Sequence, residues 1–112
     1  MSRNSDRIYL QHILEAIVNI ETKIHTTSKE EFDKDVYLQA AIMRFIEIIG
    51  EATKLLSPAL KNQHPQVAWY QVAGMRNKII HEYFQVDLDV VWGSIANDVP
   101  TLKLQIRERN TL

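Results

Sequence analysis

The sequence contains no cysteine, and only three glycines and three prolines occur among its 112 residues. The lack of cysteine excludes disulfide bonds and thiolate metal sites, and it is typical of proteins in a reducing compartment. Hydrophobic residues make up 46% of the chain. With so little glycine and proline between them, this composition favours long helices over short strands joined by many turns. We therefore expect an all-α fold.

The chain also lacks a long apolar run and an excess of charge of one sign. No run approaches the roughly 20 residues of a membrane-spanning helix, and residues 1–6 lead into an amphipathic pattern unlike that of a signal peptide. We expect a cytoplasmic protein without a membrane anchor, formed by a single domain over residues 1–112. With 13 basic and 14 acidic residues, a nucleic-acid site would have to be a local positive cleft.

Apolar residues at steps of three and four predict two long amphipathic helices in the first half of the chain, over residues 6–25 and 34–56. Between them, Ser28 and Glu31 have the spacing of a capping box, which marks another helix start. The second long helix carries a main apolar stripe and a second row beside it, formed by Met43, Ile46 and Gly50. Two apolar faces predict burial in a bundle core and against a second subunit.

In the second half, Ser57 and Pro58 are expected to end the long helix, and residues 62–65 are expected to form a loop. A fourth helix is predicted from residue 65 or 68 to residue 83. The predicted architecture is an antiparallel bundle of four to five helices.

Two acidic residues mark the starts predicted for the last helices. Asp87 is suited to cap the next helix. Asp98 with Pro100 predicts a further start, because proline is tolerated in the first turn of a helix.

The segment from Arg76 to Tyr83 reads Arg-Asn-Lys-Ile-Ile-His-Glu-Tyr and is the most informative part of the chain. Arginine has a permanent planar charge that suits a phosphate group. The ordinary pKa of histidine lets His81 both take and give a proton near neutral pH. The hydroxyl of Tyr83 can donate or accept a hydrogen bond or be modified. Together these groups can hold and cleave a phosphodiester.

A regular helix with ~100° per residue places Arg76 at the centre of an apolar face, where an unpaired charge is costly. Glu47 and Glu51 are candidate partners, so a buried structural salt bridge is the alternative to a catalytic role. His81 falls about 140° from Arg76, beside Asn77, whose amide is placed to orient the imidazole. The arginine and the histidine then cannot meet at one phosphate. Either the helix loosens near His81, or the site draws on two chains.

Other residues near the motif have weaker indications. Lys78 is expected to point outward, as an RNA contact or as an ordinary solvated lysine. Gly74 is expected to allow a close backbone approach on the side of His81. The sequence has no His-Glu-x-x-His or Glu-x-x-His pattern, so we expect no metal site.

The stretch from Gly74 to Phe84 resembles the signature of HEPN-domain ribonucleases, and most closely that of the HepT toxins, whose pattern is Arg, four residues, His, any residue and Tyr. Residues 48–52 and 86–92 are similar to other stretches of this family. The resemblance implies a HEPN-like bundle that dimerises through long helices. It also implies a metal-independent endoribonuclease that needs no cofactor.

The same resemblance implies the roles of the site residues. Arg76 and His81 would be catalytic, in a cleft shared by the two subunits of a homodimer. From the residues themselves, we expect Asn77 and Glu51 to support them and Lys78 to contact RNA. The substrate would be RNA, for which transfer RNA is a reasonable guess, cut by attack of the ribose 2′-hydroxyl.

The resemblance further implies a partner protein. In HepT toxins the tyrosine that matches Tyr83 is modified with AMP by MntA, a nucleotidyltransferase antitoxin, so Tyr83 is the expected modification site. Two other classes of protein remain open. One is a non-catalytic helical subunit that binds substrate or nucleotide for a separate nucleotidyltransferase. The other is a dimerisation module whose polar motif only sets the specificity of an interface.

Overall fold

Two long helices pack along each other in the computed structural model, which describes residues 3–80 and 86–108 of the chain. They are α1 (Arg3–Ile24) and, after the short α2 (Lys29–Lys34), α3 (Val36–Leu55). Each buried aliphatic side chain contributes roughly 1.5–3 kcal/mol. The packing of α1 on α3 is therefore a main source of stability. Its fully buried residues include Leu10, Ile13, Ile17, Ile20, Ile42, Ile46 and Ile49.

The predicted capping box is present at the start of α2. The Ser28 hydroxyl accepts from the backbone N–H of Glu31 at 3.1 Å, and the Glu31 carboxylate accepts from the backbone N–H of Ser28 at 3.0 Å. The second of these bonds is the main reason why the pKa of Glu31 lies below its usual value. Asp35 then caps α3 through the backbone N–H of Leu38. The long helix therefore begins two residues later than predicted, and Lys34 belongs to α2.

A buried carboxylate ties the start of α1 to the end of α3. Asp6 accepts from the backbone N–H of Ser57 at 2.8 Å and from its hydroxyl at 2.7 Å. Ser57 is the N-cap of α4 (Pro58–Gln63), in which proline takes the first position, where no N–H is needed. The break predicted at Ser57 is confirmed, but α4 occupies the first two residues of the predicted loop.

The second apolar row of α3 is largely buried within the same chain. Ile46 and Gly50 are both buried, and α3 is covered by α1 and also by α5 (Trp69–Ala73) and α6 (Met75–Ile79). A Cβ atom on Gly50 would lie only 3.1 Å from the backbone oxygen of Ala73. The row therefore gives no indication of a second subunit, contrary to our interpretation of the sequence. The homodimer itself stays a prediction.

The predicted fourth helix is divided and ends early. A break at Gly74 separates α5 from α6, and α6 ends at Ile79. Ile80 is extended, with φ −93° and ψ 123°, and it forms an antiparallel bridge with Val86. The predicted helix therefore ends before Ile80, and the part of the prediction that covers residues 81–83 lies outside the described residues.

The predicted cap at Asp87 is confirmed. Its carboxylate accepts from the backbone N–H groups of Asp89 and Val90 at 3.1 and 3.2 Å, which starts α7 (Leu88–Gly93). These bonds satisfy two donors that the first turn of a helix leaves without a partner.

The start predicted at Asp98 and Pro100 coincides with the beginning of the last α-helical segment, but that segment is entered from helical backbone and not from a loop. A π-helical segment, Ser94–Asp98, joins α7 to α8 (Val99–Glu108) without leaving the helical conformation. Proline has no N–H to donate at this point, and the backbone N–H of Val99 bonds to the oxygen of Ser94, five residues back. The apolar stripe of α8 is nevertheless buried as predicted, through Val99, Leu102 and Ile106.

The all-α fold class is confirmed. In the described ranges, eight α-helical segments and the π-helical segment form the molecule, and Ile80 and Val86 form an isolated bridge rather than a strand. The apolar periodicity alone predicts four or five helices. Capping residues and the break at Gly74 divide these into more, shorter segments. Across residues 3–80 and 86–108, no helix has both the length and the apolar character needed to cross a membrane.

Two helical glycines should respond to substitution in opposite directions. In Gly50→Val the added carbons would press on the backbone of Ala73, and we expect a loss of about 1–3 kcal/mol in the free energy of unfolding. In Gly93→Ala nothing lies within 4 Å of the new Cβ, so a gain of about 0.5–1 kcal/mol is expected from the removal of a helical glycine. Urea unfolding measures both changes. Equal stabilisation by the two substitutions would show that α3 and α5 are not in close contact.

Candidate active site

Arg76 lies on the exposed side of α6. Its side chain is 46% exposed, and its Nε donates a hydrogen bond to Oε2 of Glu47 at 3.1 Å. The buried residues of α6 are Met75 and Ile79. The prediction that Arg76 sits at the centre of an apolar face was wrong, because it assumed one regular helix through Gly74, where the structure has two.

The Arg76–Glu47 pair orients the guanidinium more than it stabilises the fold. The Glu47 side chain is 36% exposed, and ion pairs this open to solvent contribute roughly 0–1 kcal/mol. The Arg76–Glu47 pair is therefore not the buried structural salt bridge that was the alternative considered from the sequence. Because an arginine has five N–H donors and the bond to Glu47 uses Nε, the terminal nitrogens suit a bidentate contact with a phosphate.

The second candidate partner, Glu51, has a different neighbour. It lies about one turn further along α3, is exposed, and its carboxylate is 3.3 Å from Nζ of Lys54. The contact expected from Glu51 to Arg76 is made by Glu47. Both glutamates were candidates, and only the packing of α6 on α3 distinguishes them.

Asn77 and Lys78 follow Arg76 on α6, and both are exposed. Lys78 points outward as predicted, and its Nζ is 3.9 Å from Oδ2 of Asp98. The sequence analysis missed this acidic neighbour. No local signal indicates it, because Asp98 is twenty residues away and its position depends on the π-helical segment.

His81 and Tyr83 lie outside the described residues. The described chain on either side consists of Ile80 and Val86, which pair with each other. Since α6 ends at Ile79, the helical wheel does not extend to His81. A helix that loosens near His81 would involve residues outside the described ranges, so this alternative stays a prediction. A site shared by two chains stays a prediction.

In the described part of the chain no other segment makes a close backbone approach at Gly74, and the role expected of this glycine stays a prediction. A Cβ atom there would make ordinary contacts with the oxygens of Tyr70 and Gln71, at 3.5 and 4.0 Å in its own turn. The close backbone approach in this region occurs at Gly50 instead. Gly74 has φ −94° and ψ 8° at the junction of α5 and α6, so it marks the break between these two helices.

The described part of the site is chemically suited to phosphate binding. An oriented, exposed arginine and a nearby lysine can hold an anionic backbone. In the ranges 3–80 and 86–108, no cluster of three or more histidine, aspartate or glutamate side chains is arranged to bind a metal ion. Proton transfer would have to come from elsewhere in the motif.

The family of the chain follows from comparison with known proteins. The model of the family described as "Ribonuclease HepT-like" matches residues 13–109. The match includes the site on α6 and the helices that support it. The chain belongs to this ribonuclease family.

Individual relatives agree with this assignment. The chain is 41% identical over 102 residues to a protein of Caldanaerobacter subterraneus subsp. tengcongensis named as a putative RNase, with 91% of each chain covered. It is 42% identical over 101 residues to the "Probable ribonuclease HepT" of Thermococcus cleftensis, covering 90% of this chain and 92% of the relative. No solved structure gives a significant match.

Proposed function

We propose that this chain is a metal-independent endoribonuclease and the toxin of a toxin–antitoxin pair. The observation that carries the proposal is Arg76, which is exposed and held by Glu47 through a 3.1 Å bond, in a chain that belongs to the HepT-like ribonucleases. An arginine that served only the fold would gain little from so exposed a pair. An arginine that binds substrate has to be both oriented and accessible.

In the proposed mechanism, the ribose 2′-hydroxyl attacks the adjacent phosphorus and the bond to the 5′-oxygen breaks. Arg76 binds the scissile phosphate and stabilises the negative charge that develops on its oxygens. His81 takes the proton of the 2′-hydroxyl or protonates the leaving 5′-oxygen, and His81 of the second subunit takes the other role. The products are a 2′,3′-cyclic phosphate and a 5′-hydroxyl. No metal is required.

Neighbouring residues would support this chemistry. Glu47 orients Arg76, in the place first considered for Glu51. Asn77 positions the imidazole of His81, and Lys78 contacts the RNA backbone. The active species is a homodimer whose two motifs line one cleft.

The test is an RNA cleavage assay in the presence of a metal chelator. Cutting should persist, leave a 2′,3′-cyclic phosphate, and stop when the ribose at the cleaved position is replaced by 2′-deoxyribose, which lacks the nucleophile. Products with a 3′-hydroxyl, or activity lost with chelation, would contradict the mechanism. Nucleotide binding without any cutting would favour the non-catalytic subunit of a nucleotidyltransferase.

The proposed antitoxin is an MntA-like nucleotidyltransferase that adds AMP to Tyr83. The modification would place bulk and negative charge close to Arg76 in the sequence, where it competes with RNA phosphate. After co-expression with that partner, we expect the mass of one or more AMP groups on Tyr83 and loss of cleavage. Tyr83→Phe should carry no AMP and stay active. If Tyr83→Phe is silenced equally well, occlusion by the partner is the better explanation.

A further inference from the structure

A groove of about 550 Å³ lies between α5–α6 and α8. Its floor includes the buried side chains of Met75 and Leu102, and its rim includes Tyr70, Gln71, Lys78 and Gln105. We call it the α5–α8 groove. Its volume falls within the range of about 300–1,000 Å³ typical of small-molecule sites. An apolar floor with a few polar groups around it suits a flat ring with hydrogen-bonding edges.

The most exposed aromatic ring in the described part of the chain stands at this rim. Tyr70 is 92% exposed, although burial of its ring would normally contribute to stability. A nucleobase can stack on such a ring whatever its identity, because every base has a π-face. The ring therefore suits a base-stacking contact.

Amide groups beside Tyr70 match the edges of a base. Gln71 and Gln105 each carry a donor and an acceptor. The Nε2 of Gln105 donates to the backbone oxygen of Gln66 at 2.9 Å, which holds this amide at the rim. Such groups can bond to base edges that are exposed in single-stranded RNA.

Lys78 provides a positive charge at the same groove. Its partner Asp98 also lines the groove, with Oδ2 of Asp98 3.9 Å from Nζ of Lys78. Both side chains are more than half exposed. A pair this long and this exposed contributes little, so a phosphate can replace the carboxylate at Lys78. Lys78 lies two residues after Arg76 on α6, so the two side chains leave the helix about 200° apart, and the groove lies on the other side of α6 from Arg76.

We infer that the α5–α8 groove binds one unpaired nucleotide of the RNA substrate, at a position separate from the scissile phosphate held by Arg76. Its base stacks on Tyr70, and its phosphate contacts Lys78. The inference rests on the proposed function, because it makes the groove a subsite of that nuclease. It also names the substrate class: single-stranded or loop RNA, since the bases of a duplex are already stacked and paired.

The first experiment measures binding without cleavage. A single-stranded RNA with 2′-O-methyl groups at every ribose cannot be cut by 2′-hydroxyl attack. Tyr70→Ala should weaken its binding about 5- to 150-fold, the usual range for loss of one stacked base. Tyr70→Phe keeps the ring and should bind like the wild-type protein. Tyr37→Ala should also bind like the wild-type protein, because the ring it removes is 88% exposed but lies on α3, outside the groove.

The second experiment asks whether Tyr70 touches a base. Single abasic positions are placed in turn along the same RNA. One of them should weaken binding to the wild-type protein and cause no further loss in Tyr70→Ala, because both changes remove the same contact. Losses that add at every position would overturn the inference.

The third experiment examines the phosphate contact. Lys78→Gln should reduce by about one the slope of log affinity against log salt concentration. Lys34→Gln removes a lysine that also pairs with an acidic residue, Glu30 at 3.4 Å, and should leave the slope unchanged. An unchanged slope in Lys78→Gln would show that Lys78 does not contact a phosphate of the bound RNA, contrary to the inference.

These results test base binding in the groove independently of the proposed nuclease activity. If the protein cuts RNA but Tyr70→Ala binds and cuts like the wild type, the inference fails and the nuclease stands. If the protein binds RNA through Tyr70 but cuts none, the base site stands and the proposed function fails. If Tyr70→Ala changes the oligomeric state measured by light scattering, the ring belongs to a protein interface, and the inference is overturned.

Discussion

His81→Ala is expected to abolish detectable RNA cleavage while leaving the helical content unchanged. In the proposed mechanism His81 is the group that transfers protons at the 2′-hydroxyl or the 5′-oxygen. Loss of a general acid or base typically lowers a rate by about 10²–10⁴-fold, and a homodimer with two identical motifs loses both copies at once. Initial rates of 2′,3′-cyclic phosphate formation measure the effect, with circular dichroism as the check on folding.

A matched histidine distinguishes catalysis from a general effect on charge. His25 is exposed just after the end of α1, and His25→Ala should cut RNA at the wild-type rate. Binding of the uncleavable 2′-O-methyl RNA should change little in His81→Ala, since the proton transfer is confined to the reaction. A well-folded His81→Ala protein with full activity would end the proposed mechanism.

Arg76→Ala is expected to lower the cleavage rate about 10²–10³-fold, the usual cost of removing one group that stabilises charge in a transition state. The free energy of unfolding should change by no more than about 1 kcal/mol, because the Arg76–Glu47 pair is exposed on both sides. Arg76→Lys should recover only part of the activity, since an ammonium group lacks the planar fork. A large loss of stability with little loss of activity would make Arg76 structural.

The two glutamates on α3 provide the control for this prediction. Glu47→Ala should lower the cleavage rate, because the guanidinium loses the acceptor that orients it. Glu47→Gln keeps an oxygen at that position and should recover most of the rate. Glu51→Ala removes the contact with Lys54 and should stay active. The opposite result, an active Glu47→Ala beside an impaired Glu51→Ala, would restore the role first considered for Glu51.

The sequence by itself determined the local features of this protein. The helices follow from apolar residues three and four positions apart, and the starts of α2 and α7 follow from the caps at Ser28 and Asp87. These interactions join residues within one turn of each other, so their spacing is visible in the sequence. The family signature is local in the same sense, since it lies within residues 74–84.

Only the tertiary structure decided how the site is arranged. The exposure of Arg76 and its choice of Glu47 depend on how α6 packs on α3, across a separation of 29 residues. The end of α6 depends on the pairing of Ile80 with Val86, and the neighbour of Lys78 depends on the π-helical segment before Pro100. A helical wheel cannot predict these features, because it assumes a regular helix and has no information about its neighbours. Contacts between distant parts of the chain are set by packing, and the spacing of residues does not record them.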